Sequence, residues 1–136
     1  MILAKYLDHL PLYRLERIFS ERYGVHITRQ TMSGWVEKVA EYLEAICRVM
    51  KEGMVQTGYL QVDETPVKAL DPDVTGKTGT GYLWVYADPG GDVLFEYHKS
   101  RGLAPPLEFL KGFKGIIQTD GYQVYESLGK QRPDLS

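Results

Sequence analysis

Up to Gly53 the apolar positions recur at helical spacing, and beyond Gly58 they cluster or alternate as strands do. Pro11 suits a first helical position, and Leu12, Leu15, Ile18 and Phe19 follow on one face. Gly24 ends that helix after Tyr23, leaving Val25-His26-Ile27 as a short connector. Thr28 is suited to cap a second, long helix. Trp35, Val39, Leu43, Ile46 and Met50 mark one face of it and are expected in the core.

The remainder predicts a short strand over residues 59–62, a turn-rich loop over 71–81 and a buried strand over 82–87. Asp88-Pro89-Gly90-Gly91 is a hairpin connection to a strand over 93–97. A helix over 105–113, a strand over 116–118 and a helix from Tyr122 complete the order. That is a mixed α/β pattern, an antiparallel meander leading into a crossover. The expected division is a helical region, 1–57, followed by an α/β region, 58–136.

Length and charge narrow the picture. The chain has 136 residues, enough for one compact domain or for a helical module beside a second, smaller unit. Its net charge of −2 gives no whole-chain footprint for nucleic acid, although a local basic patch is compatible with it. The single cysteine, Cys47, excludes an internal disulfide and a Cys-rich zinc site, and its apolar helical setting predicts a buried thiol. No run approaches the roughly 20 apolar residues that span a bilayer, and Met1 opens no signal-peptide pattern. A cytoplasmic protein is expected.

The candidate chemistry lies in two aspartates. Asp63 ends the run Tyr59-Leu60-Gln61-Val62, and Asp120 ends Ile116-Ile117-Gln118-Thr119. Magnesium takes oxygen ligands and draws only a few from protein. Two such ions about 4 Å apart clamp the attacking and leaving oxygens of a phosphoryl displacement. The plainer alternative is that Asp63 caps a turn and Asp120 opens an Asp-Gly turn. Glu64 is expected on the face opposite Asp63.

Other motifs carry less. Gly76-Lys77-Thr78 lacks the upstream glycine and following helix of a phosphate loop, so Lys77 reads as a loop cation that can touch phosphate. The pair of helices around Gly24 has the spacing of a helix-turn-helix, with Arg29, Gln30 and Thr31 facing a groove of DNA. Arg101 and Lys99 are further candidate phosphate contacts. His9, His26 and His98 form no metal-ligand spacing with one another, and no serine or cysteine has a nucleophile's surroundings.

Four segments together resemble the transposases of the bacterial insertion-sequence family numbered sixty-six: His9-Leu10-Pro11-Leu12-Tyr13-Arg14, Val62-Asp63-Glu64-Thr65-Pro66-Val67, Gly81-Tyr82-Leu83-Trp84-Val85-Tyr86 and Gln118-Thr119-Asp120-Gly121-Tyr122-Gln123-Val124-Tyr125. The resemblance implies a DDE-type transposase with a ribonuclease H-like core, here incomplete. It implies Asp63 and Asp120 as the first and second acidic ligands of Mg²⁺ (or Mn²⁺), and DNA, both transposon ends and target, as partner. In such an enzyme metal-assisted hydrolysis of a phosphodiester frees a 3′-hydroxyl that then attacks target DNA. The family's third acidic ligand has no counterpart before Ser136, so a truncated copy, inactive alone and prone to self-association, is expected. The competing expectations are a DNA-binding helical module without catalysis and an inert remnant.

Overall fold

The structure is a computed structural model and describes residues 1–70 and 78–135. It contains two compact units, Met1–Ile46 and Cys47–Ser136.

In the first unit α1 (Ile2–Tyr6) precedes α2 (Leu12–Tyr23) and the long α3 (Arg29–Met54), whose last two turns belong to the second unit. Pro11 is the extended residue ahead of α2, and Gly24 closes that helix at φ 66°, a left-handed conformation that costs glycine nothing. Its N–H reaches back to the Ser20 carbonyl at 3.2 Å. The Thr28 hydroxyl accepts the Thr31 N–H at 3.2 Å, as a helix cap should. Leu15 and Met32 are the buried apolar residues of this unit.

The second unit is a four-stranded sheet in the order β3-β2-β1-β4: β1 (Tyr59–Leu70), β2 (Thr78–Ala87), β3 (Val93–His98) and β4 (Ile116–Gln118). β1, β2 and β3 pair antiparallel, whereas β4 is parallel to β1 over Tyr59↔Ile116, Leu60↔Ile117 and Gln61↔Gln118. The crossover into β4 carries α4 (Ala104–Phe109), and α5 (Gln123–Gln131) follows β4. Leu60, Val62, Trp84, Tyr86 and Leu94 line one sheet face and pack with Met54, Phe109, Leu110, Phe113, Tyr125 and Leu128. Tyr86 and Phe109 stack with centroids 3.4 Å apart.

Several expectations are corrected. β1 does not stop at Val62 but runs to Leu70, so Asp63 lies within the strand. Pro66 is tolerated there because β4 pairs only as far as Gln61, leaving that side of β1 without a ladder at the proline. Thr78–Gly81 joins β2 rather than a loop, paired to Val67–Leu70. Cys47 is exposed, as are Trp35, Leu43 and Ile46, so the apolar face of α3 is not a core stripe along its length. Its buried residues are Met32 and Met54, near either end.

Candidate metal centre

Strand parity sorts the acidic pair on β1. Leu60, Val62 and Glu64 face the core, while Gln61, Asp63 and Thr65 face out. Extending the parallel register from Gln61↔Gln118 by two residues brings Asp63 level with Asp120. Both aspartates line one open groove of about 370 Å³ with Gln61, Val62, Val85, Ala87, Gln118 and Thr119. The side chains on its floor are tied across the strands. Gln118 Oε1 accepts from Gln61 Nε2 at 3.0 Å and also from the Tyr59 hydroxyl.

Each aspartate is oriented by a backbone donor. Asp63 Oδ1 accepts the Glu64 N–H at 2.8 Å, and Asp120 Oδ1 accepts the Tyr122 N–H at 3.1 Å. The second bond is the local turn that an Asp-Gly step favours; here it coexists with membership of the groove. The donor set in the groove is oxygen only, which matches hard cations such as Mg²⁺ or Mn²⁺ rather than zinc or copper. Among the described residues no three acidic, histidine or cysteine side chains come together as a ready metal cage. Magnesium usually takes only one or two carboxylates from protein and the rest of its oxygens from water and phosphate.

Glu64, expected only to point away from Asp63, has a partner set that sequence reasoning missed. Its side chain is fully buried, and Arg101 approaches Oε1 through Nε at 2.8 Å and Nη2 at 2.7 Å. The Tyr125 hydroxyl donates to Oε2 at 2.5 Å. Arg101 also lies over the Tyr122 ring, 3.9 Å from its centroid. Hydrogen bonding to Glu64 holds the Arg101 guanidinium above its ordinary pKa. Burial, the Glu64 hydrogen bond and the negative fields of Glu64, Asp120 and Asp63 push the Tyr125 phenol upward, so it remains a donor at neutral pH. An acidic residue at a core-facing strand position, with Arg and Tyr downstream, was the available signal.

The other candidates are placed as follows. Arg29 pairs with Glu16 of α2, its Nε 3.1 Å from Oε2 and its N–H 3.1 Å from Oε1. Gln30 is exposed, and the Thr31 hydroxyl meets that of Thr28 at 3.0 Å. The guanidinium of Arg101 is engaged by Glu64. Lys77 lies outside the described residues.

The second unit is a mixed-sheet α/β unit with Asp63 and Asp120 on one groove beyond the end of the parallel β1–β4 pair. The family described as "Transposase IS66 family" matches residues 1–135, and the chain belongs to that family. It is 35% identical over 137 residues to the uncharacterized protein y4qI of Sinorhizobium fredii (strain NBRC 101917 / NGR234), covering 95% of this chain and 25% of that protein. It is 29% identical over 140 residues to the uncharacterized protein y4jD of the same strain, covering 97% and 27% respectively. The chain thus spans about a quarter of the length of these curated relatives. No solved structure matches.

Proposed function

We propose that this chain supplies two metal-ligating carboxylates, Asp63 and Asp120, to a DDE-type DNA transposase built on a ribonuclease H-like sheet. The observation that carries the reading is their shared groove at the end of the β1–β4 pair, in a chain of a transposase family. The β3-β2-β1-β4 order, three antiparallel strands with a fourth parallel to the first, supports the ribonuclease H-like part. Bound Mg²⁺ or Mn²⁺ would supply positive charge for phosphodiester hydrolysis and strand transfer. Asp63 and Asp120 would hold the ion, and the Glu64 and Tyr122 amides keep their carboxylates aimed.

Asp63 and Asp120 by themselves would hold the ion weakly, because a hard cation needs further oxygens from water, phosphate or other carboxylates. The DNA of transposon ends and target is its partner, in the bacterial cytoplasm. Among the described residues no helix is long and apolar enough to cross a membrane.

The test is an Mn²⁺ titration followed by NMR. Resonances of Asp63 and Asp120 should broaden first, and Asp63→Asn or Asp120→Asn should weaken binding at least about tenfold. If millimolar Mn²⁺ perturbs neither residue, the metal reading fails.

A second role rests on the front helices. The glycine-closed α2, the capped α3 and the exposed Gln30 on its first turn support groove contact with duplex DNA. Binding should weaken steeply with salt and be lost in the Arg29→Ala, Gln30→Ala double variant. Full binding by that variant would remove the role.

A further inference from the structure

The ladder between β1 and β4 ends at Gln61↔Gln118, two residues short of each aspartate. Past that point no backbone pairing holds Asp63 and Asp120 at a fixed separation. What spans the gap is a set of side chains from four places in the chain. Glu64, next to Asp63, is bonded to Arg101 from the segment after β3 and to Tyr125 of α5. Arg101 in turn covers Tyr122, whose N–H holds Asp120. Asp63 is thereby connected to Asp120 through Glu64, Arg101 and Tyr122, and a second time through Glu64, Tyr125 and Tyr122, since the Tyr125 N–H donates to the Tyr122 carbonyl at 2.9 Å.

Burying a carboxylate at a core-facing position is unfavourable unless its oxygens are satisfied by charged or hydroxyl donors. Here both oxygens are taken, Oε1 by Arg101 and Oε2 by Tyr125. Glu64 is therefore not free to ligate a cation, although it is the acidic residue adjacent to Asp63. A leucine would fill the same volume; a charged residue adds directional bonds that a leucine lacks.

We propose that Glu64, with Arg101 and Tyr125, is a positioning group that sets the separation and aim of the Asp63 and Asp120 carboxylates. The proposal rests on the metal reading for its purpose, but its geometry is testable without metal. Tyr125→Phe removes one bond and keeps the ring in the core; Arg101→Lys keeps the charge and loses the fork.

Amide exchange by NMR on the full chain without metal is the first measurement. In both variants the Glu64 and Tyr122 amides, bonded to the two aspartates, should exchange about tenfold faster, the scale of one lost hydrogen bond. Amides of the β2–β3 hairpin should keep their rates, which a general loss of stability would not allow. Wild-type exchange at Glu64 and Tyr122 in both variants would overturn the proposal. The second measurement is Mn²⁺ affinity, expected to fall about tenfold or more in each variant. Unchanged Mn²⁺ affinity with faster exchange would overturn the link to the metal site. Absence of Mn²⁺ binding by the unaltered chain, with the exchange pattern as expected, would instead overturn the metal reading and leave the positioning result standing.

Discussion

Tyr86 and Gly115 illustrate opposite ways in which a single residue departs from what its surroundings favour. The Tyr86 hydroxyl is buried with no hydrogen-bond partner among the described residues, while its ring stacks flat on Phe109. Burial, with Glu96 and Glu64 nearby, pushes the phenol's pKa up. Tyr86→Phe keeps the stack and removes the unsatisfied group, and should raise stability by about 1 kcal/mol in urea unfolding; a loss of stability would show an unrecognised partner. Gly115, at φ 146°, lies where an added Cβ would collide with the Gly58 carbonyl, itself bonded to the Ile116 N–H at 3.0 Å. Alanine there should cost at least about 2 kcal/mol, because the obstacle is backbone and the entry to β4 would have to shift. At this scale Asp63 and Asp120 stand out in the sequence at the ends of apolar runs, and the structure puts both on one groove, with Asp63 inside β1 and not at its end. The roles of Glu64 and Arg101 were not legible, since a contact between residues 37 apart in the chain leaves no local spacing to read.

At the scale of elements, the helices were the more readable part. Pro11, Gly24 and Thr28 act through their own backbone or the next turn, so their signals are local. β1 was underestimated because its apolar run stops at Val62, whereas its backbone pairing with β2 continues to Leu70 through residues that are mostly exposed. α5 is anchored at its far end by Arg132, which donates to the Leu110 carbonyl at 3.0 Å and the Phe113 carbonyl at 2.5 Å. The same guanidinium pairs with Asp134 at 2.7 Å and holds that carboxyl down at about 2. A depressed carboxylate contributes stability that is present above its unfolded pKa and lost as pH falls through the folded value. The difference in thermal midpoint between the unaltered chain and Asp134→Asn should accordingly be constant near neutrality and shrink as pH approaches 2. A difference that grows on acidification would contradict the assignment.

For the whole molecule, the open question is what covers the apolar residues left outside. Within the first unit Trp35, Leu43 and Ile46 are each about half exposed, along a single helix. Such a stripe favours association with another copy of the chain. Light scattering at micromolar concentration should report a dimer or larger species, and Ile46→Glu should shift it to monomer; a monomeric unaltered chain would refute this. The misreading of Trp35 as core has the same origin, because helical periodicity identifies an apolar face without saying whether the chain itself covers it.

Two neighbouring acids on β1 hold unlike posts only because a pleated strand sends successive side chains to opposite sides. Deleting one residue between Tyr59 and Val62 would move Glu64 into the slot of Asp63, Thr65 into that of Glu64 and Asp63 into the core slot of Val62 opposite Tyr86. Arg101 would then face a threonine that carries no charge, and the glutamate would stand in the groove one methylene too long. A drift of one position in this strand would thus disable the site and its support together while leaving every amino-acid type in place.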